Sequence, residues 1–399
     1  MSAPVFIAGL GIITSIGNNL QANLRSLEDE ISGITKMQLL SSIYQDDLPV
    51  GEIKCSNEEL SVAVNLSPKL PRTALLSAVA ARESLTNAGW TKSLSPRTGF
   101  ISANTVGGMD KTEKFFKRYS KNASAGRLAD VVYHECGAIT EIVADCLGIR
   151  HFVSTVSTAC SSSANAIFTG SRMIEAGLLD FALVGGADAL TRFTLNGFNT
   201  LMILDKEPCK PFDENRHGLN LGEGAAYLLL ASESGLKQLN KKPYALVSGY
   251  ANANDAFHQT ASSPEGIGSL LAMTGALEKA RLRPSEIDYI NLHGTGTVNN
   301  DIAEGTAINS LFHSTPPKMS STKAYTGHTL GASGAVEAVY SVLAIRQGII
   351  FPNLRYQTPM KEFSFQPNTA LLKNQRVLHV LSNSFGFGGN CSSLIFSAP

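Results

Sequence analysis

Ser157-Thr158-Ala159-Cys160-Ser161-Ser162-Ser163-Ala164 closes a β-rich run at 151–156 and opens a small-residue helical run at 164–176. A thiol at such a junction sits beside the first turn of a helix, where unpaired N–H groups and the macrodipole favour thiolate over thiol. The surrounding Ser, Thr and Ala fill little core volume and suit a tight turn that opens onto a pocket. Cys160 is therefore a candidate nucleophile rather than an inert core cysteine.

Two distant segments add to this reading. Asn291-Leu292-His293-Gly294-Thr295-Gly296-Thr297 follows a strand-like run at 287–290, and Lys323-Ala324-Tyr325-Thr326-Gly327-His328-Thr329-Leu330-Gly331-Ala332-Ser333-Gly334 leads into another helix. A histidine satisfied inside a core is normally wrapped in bulky side chains. His293 and His328 instead have Gly and Thr nearby, where backbone and ligand can approach closely. One Cys and two such His can divide nucleophilic and polarising roles.

Outward from these motifs, helical stretches alternate with fully apolar strands, which predicts an α/β architecture. The first set comprises a strand at 5–10 ended by a turn at Gly9-Leu10-Gly11, helices at 19–27, 73–88 and 139–147, and strands at 98–102, 151–156, 181–188 and 225–231. Residues 39–66 read as loop and short pieces, and the lysine-rich stretch 111–121 as a solvated helix face. The second set has strands at 244–250, 289–292, 377–381 and 393–397, with helices at 268–280, 302–311 and 334–346. No residue-level repeat links the two sets.

The 399 residues are 43% hydrophobic and 17% charged, with 33 basic residues balancing 33 acidic ones. No global field attracts nucleic acid, so any electrostatic docking must be a local patch. The six cysteines are scattered, without a C-x-x-C pair or zinc spacing, which argues against a disulfide scaffold and a metal site. The apolar first 17 residues lack a basic residue and contain glycines, so they read as a buried strand, not a signal peptide. No apolar run is long enough to span a membrane. A cytoplasmic location fits all of these.

With Asn383-Ser384-Phe385-Gly386-Phe387-Gly388-Gly389 added, the motifs resemble the β-ketoacyl-[acyl-carrier-protein] synthases, in the branch that uses a Cys-His-His triad. The resemblance runs from Val5-Phe6-Ile7-Ala8-Gly9-Leu10-Gly11 to Leu394-Ile395-Phe396. It implies the thiolase-type fold, two similar α/β halves in five αβαβα layers, here divided as 1–242 and 243–399 near Lys241-Lys242-Pro243. It also implies a decarboxylative Claisen condensation: Cys160 takes an acyl chain, and malonyl-acyl-carrier-protein loses carbon dioxide and attacks it. His293 and His328 would donate hydrogen bonds to the malonyl thioester carbonyl, and the backbone N–H groups of Cys160 and Phe387 would form the oxyanion hole. Lys323 with Glu337 would orient the site electrostatically. Thr295 and Thr297 would bind the phosphopantetheine arm, Phe385 and Phe387 would border the substrate, and Phe387 would act as a gate.

No intrinsic cofactor or metal is implied, because substrates ride on the phosphopantetheine of acyl carrier protein. That acidic partner would dock on a basic patch of Lys69, Arg72, Arg127, Lys206 and Lys210. A homodimer is expected, or a heterodimer with a related subunit, joined through the strand at 151–156, with Tyr133 and His134 reaching the partner's acyl pocket. Departures from the family pattern are His217 in place of Asp, Val298-Asn299-Asn300-Asp301 without Pro, Asn390-Cys391 for Thr-Asn, and a polar 111–114. They leave chain length and pathway open among fatty acid, polyene and polyketide. Two other readings are a catalytically silent chain-length partner, which would usually lack the nucleophile, and a thiolase on coenzyme A. The thiolase would need a second cysteine, and Cys391 lies outside the Cys-Gly-Gly setting expected of it.

Overall fold

The computed structural model describes residues 3–91, 96–313 and 315–399; Met1 and Ser2, at the head of the apolar N-terminal stretch, lie outside them. The strands are β1 (Phe6–Thr14), β2 (Ile34–Thr35), β3 (Val50–Gly51), β4 (Thr98–Ala103), β5 (Phe152–Val156), β6 (Phe181–Asp188), β7 (Gly224–Ala231), β8 (Ala245–Asn254), β9 (Tyr289–Asn291), β10 (Lys318–Ser320), β11 (His379–Phe385) and β12 (Asn390–Ser397). The α-helices are α1 (Leu20–Glu28), α2 (Asn57–Val64), α3 (Arg72–Ala88), α4 (Met109–Tyr119), α5 (Cys136–Leu147), α6 (Ser162–Glu175), α7 (Arg192–Thr200), α8 (Glu233–Leu239), α9 (Ile267–Ala280), α10 (Val298–Phe312), α11 (Lys323–Thr326) and α12 (Ser333–Gln347).

Ten strands run in the order β10-β9-β11-β12-β8-β1-β7-β6-β4-β5. Outward from the central β1/β8 contact, each half follows the order first, fifth, fourth, second, third of its own five strands in this sheet, with β2 and β3 pairing apart. In both, the first two pairings are antiparallel and the next two parallel. Within the sheet the halves meet at Phe6↔Leu246 and Ile7↔Ala245. A repeat with no trace at residue level is thus plain in topology.

Side-chain alternation along the strands sets the layers. In β6, Ala182 and Val184 face a core shared with α6 and α12, while Phe181 and Leu183 face a second core with α3 and α5. In the other half, Val380 faces the shared core and Leu381 a third one with α9 and α10. This gives the expected αβαβα stack, with α6 and α12 between the sheets. Every residue of α12 from Ser333 to Ile345 is buried, as a helix covered on all sides must be.

Three expectations change. The chain does not turn at Gly9-Leu10-Gly11: β1 runs on to Thr14. The glycines are there because α3 crosses β1 at backbone contact, so a Cβ would lie 2.3 Å from Ser84 O at Gly9 and 2.1 Å from Ala80 O at Gly11. Within 39–66, α2 is a true helix, started by a reciprocal Ser56/Glu59 capping box. Helix α7 and strand β10 had no sequence signal strong enough to mark them. The strand before Cys160, β5, lies at one edge of the ten-strand order, where its outer backbone groups are open to another chain.

Candidate active site

Cys160 lies two residues before α6, in a turn where Ala159 has φ +51°. A side chain in that left-handed region costs on the order of 1 kcal/mol, and the turn is held by its own hydroxyls. Thr158 N–H donates to Ser162 Oγ (2.8 Å), and Ser161 Oγ donates to Asn390 Oδ1 (2.6 Å). The run of Ser and Thr is therefore lacing as well as small filler. Cys160 is only 6% exposed. Burial pushes its thiol up to about 11, against the pull of the Lys323 charge and of the Phe387 and Cys160 N–H groups. The thiolate expected from the helix terminus is not favoured in the resting site, because desolvation outweighs these attractions.

His328 Nε2 is 3.1 Å from Cys160 Sγ, and its Nδ1 accepts the Leu330 N–H at 3.2 Å. A neutral ring with Nδ1 accepting carries its proton on Nε2, so His328 presents an N–H to the sulfur. His293 arrives at the same state by another route. Lys323 Nζ meets three acceptors: His293 Nδ1 at 3.2 Å, the His293 carbonyl at 2.5 Å, and Glu337 Oε1. An ammonium has three protons to give them, which leaves the His293 proton on Nε2. Burial, then the Lys323 charge, holds both imidazoles well below the usual histidine range. The rings meet edge to face with centroids 5.4 Å apart.

Behind this triad stand groups that sequence reasoning passed over. On α10, Glu304 accepts the N–H groups of His293 (2.9 Å) and Gly294 (2.8 Å), and Asp301 that of Thr295 (3.1 Å). Burial pushes Glu304 up to about 7 against these bonds. Asn383 of the C-terminal motif donates to Glu304 at 3.0 Å. An acidic residue early in the helix after the His293 loop was a readable signal, since such carboxylates bind the preceding loop's N–H groups. Glu337 sits on α12, and burial raises it to about 7 while Lys323 and Ser333 pull it back.

Two cavities converge on Cys160. One, about 250 Å³, is lined by Cys160, His293, His328, Thr295, Thr297, Phe385 and Phe387, with His217, Asn299 and Asn300 also in its wall. Every catalytic, oxyanion and substrate-binding residue expected from the sequence lies here or, for Lys323 and Glu337, directly behind His293. The other, about 400 Å³, is apolar and lined by Thr105, Val106, Met109, Phe193, Phe198, Leu330 and Phe387 among others. Its two hydroxyls are engaged elsewhere, Thr105 with Asp188 and Thr194 with Thr191.

Of the expected docking residues, Lys69, Arg127 and Lys206 are exposed, and Lys210 is half-buried beside Glu207 at 3.6 Å. Arg72 is a correction. Its guanidinium is half-buried, paired with Glu223 at 2.7 Å and bonded to the carbonyls of Ile53 and Cys55. Glu223 in turn accepts the N–H groups of Ile53 and Leu190. Arg72 ties chain segments together, and its charge is matched by Glu223. Cys391 lines neither cavity: it faces Ser269 and packs with Ala272 and Phe385.

The sequence families described as "Beta-ketoacyl synthase", N-terminal and C-terminal domains, match residues 2–235 and 244–357. A 3-oxoacyl-[acyl-carrier-protein] synthase 2 of Staphylococcus aureus is 30% identical over 405 aligned residues, covering 98% of this chain and 97% of the relative. Among solved structures, the ishigamide ketosynthase/chain length factor superposes with a TM-score of 0.94 at 28% identity, covering 100% of both chains. The complex of AntDE with AntF, a type II polyketide acyl-carrier protein with its ketosynthase bound to the hexaketide, gives 0.89 at 25% identity, again over 100% of both chains. Motif order, paired strand topology and these full-length matches agree that the chain belongs to the β-ketoacyl synthase family of condensing enzymes, acyltransferases built on the thiolase-type fold.

Proposed function

We propose that this chain joins an acyl thioester held on Cys160 to a malonyl unit carried on acyl carrier protein, lengthening the chain by two carbons. In the first half-reaction the Cys160 sulfur attacks the acyl thioester and the carrier thiol leaves with the proton. In the second, the malonyl C–CO₂ bond breaks and carbon dioxide departs. The electron pair is held as an enolate by the Nε2–H groups of His293 and His328. The carbanion then attacks the acyl carbonyl, whose oxyanion is met by the N–H groups of Cys160 and Phe387, and the Cys160 thiolate is expelled and takes one proton from water.

The observation that carries this reading is the convergence of two neutral imidazoles, each with its Nδ1 occupied and its proton on Nε2, on one cavity with a cysteine. A silent partner subunit would have no use for that arrangement. The phosphopantetheine arm would enter past Thr295 and Thr297, and the growing chain would occupy the apolar cavity. That lining offers no free hydroxyl, which suits a hydrocarbon chain, saturated or polyene, over a poly-β-ketone.

The halves are taken as 1–242 and 243–399, supported by the repeated strand order and by the family matches stopping at 235 and resuming at 244. The edge position of β5 and the exposed Val153, Phe193 and Leu128 support a homodimer, with more than ~2,000 Å² buried. Among the described residues no helix is long and apolar enough to cross a membrane, and the six cysteines are free; both accord with a cytoplasmic enzyme.

Intact-protein mass spectrometry with acyl and malonyl carrier proteins tests the reading. Wild type gains one acyl mass, Cys160→Ala gains none, and His293→Ala and His328→Ala are acylated but release no carbon dioxide. Undiminished labelling of Cys160→Ala would sink it.

A further inference from the structure

Asp188 ends β6 with its carboxylate fully buried and with only neutral donors bonded to it. Oδ1 accepts the N–H groups of Thr105 (2.9 Å) and Val106 (3.1 Å); Oδ2 accepts the Thr105 hydroxyl (2.7 Å) and the Gly331 N–H (2.7 Å). Thr105 and Val106 border the apolar cavity. Gly331 belongs to the turn that follows His328, where Leu330 has φ +53° and a Cβ on Gly331 would lie 2.8 Å from Asp188 Oδ2.

That turn decides which nitrogen of His328 carries the proton, because the Leu330 N–H occupies Nδ1. The backbone of His328 itself is held independently, its N–H by the Asn220 carbonyl and its carbonyl by the Gly222 N–H. The ring's proton position therefore depends on Leu330, and the strained Leu330–Gly331 peptide is anchored through the Gly331 N–H to Asp188.

We infer that Asp188 is a positioning residue that keeps the His328 proton on Nε2, aimed at Cys160, by clamping the Leu330–Gly331 turn to the wall of the apolar cavity. This rests on the reading of His328 as a donor to the malonyl carbonyl. With the clamp loosened, Leu330 N–H leaves Nδ1, the proton distributes over both nitrogens, and a fraction of molecules presents a lone pair where the enolate needs a donor. Burial pushes Asp188 up to about 6 against the bonds it accepts, so the carboxylate form, which accepts at both oxygens, predominates at neutral pH.

The test is Asp188→Asn, which keeps the shape and puts an NH₂ where one oxygen accepted. In protein labelled with ¹⁵N-histidine, wild-type His328 should show a single Nε2–H tautomer and the variant a mixture. Acylation of Cys160 should stay within about three-fold, while decarboxylation of malonyl carrier protein by the acyl-enzyme falls about 10- to 100-fold with KM unchanged. A single tautomer in the variant, or acylation and decarboxylation falling in parallel, would overturn the inference. Should Asp188→Asn not fold, Thr105→Val removes one bond to the carboxylate and should shift tautomer and decarboxylation a few-fold in the same direction; no change in it overturns the inference equally. A wild type that neither acylates nor decarboxylates would refute the proposed reaction instead, and the tautomer comparison would still read what Asp188 holds.

Discussion

Phe387 lies nearly parallel to Phe198, ring centroids 5.7 Å apart and planes 18° apart, and both rings border each of the two cavities that meet at Cys160. The stack stands between the two cavities. The glycine-rich turn that carries Phe387 is tied to the 259 loop by a 2.7 Å bond from the Gly388 N–H to the Gln259 carbonyl, so ring and loop can be expected to move together.

Phe387→Ala removes the ring but keeps the N–H proposed for the oxyanion hole. Water should then reach the acyl thioester, and the acyl mass on Cys160 should decay roughly ten-fold faster than in wild type. Phe198→Ala should act in the same direction. An unchanged decay, followed by mass spectrometry, would show that the stack is not the barrier.

The Cys160 thiol, pushed up to about 11 by burial, is protonated at neutral pH. Its thiolate fraction grows about tenfold for each pH unit below that value, and the rate of inactivation by iodoacetamide should climb accordingly between about pH 7 and 9. A plateau near neutrality would mean that the helix terminus and Lys323 outweigh desolvation.

Removing Lys323 strands a buried carboxylate and leaves His293 Nδ1 without its donor. Lys323→Ala should lose about 3–5 kcal/mol of stability in denaturant titrations. The double variant Lys323→Met with Glu337→Gln should recover most of that loss yet remain unable to decarboxylate malonyl carrier protein. Recovery of both would remove Lys323 from the reaction.

Arg72 and the exposed lysines should part company under charge reversal. Exchanging Lys69 and Lys206 for Glu should weaken carrier-protein binding at low salt and flatten its salt dependence, with stability changed by no more than about 0.5 kcal/mol. Arg72→Glu should instead destabilise the fold by about 3–5 kcal/mol, since it breaks the pair with the buried Glu223. Normal melting of Arg72→Glu would restore it to the surface.

The triad was legible because its residues sit in short motifs with small neighbours, and apolar runs gave most strands to within a few residues. What holds the triad was less legible. Asp188 takes bonds from Thr105 and Gly331, 83 and 143 residues away, and no local pattern announces such a partner. Arg72 failed for the same reason: a charge at the start of a helix reads as solvated until Glu223, 151 residues on, is seen to meet it. Gly9 and Gly11 misled in a different way, since a glycine that admits a crossing helix looks in sequence like one that makes a turn.

The placement of β1 bears on how the chain is made. It lies between β7 and β8, so both of its neighbours are encoded more than 200 residues after it. At translation rates of about 5–20 residues per second, Phe6–Thr14 waits on the order of 10–40 s for Gly224–Ala231. Throughout that interval a strand of Ile, Leu and Gly is unpaired on both edges. An apolar strand open on both edges is exposed to aggregation for as long as synthesis leaves it so.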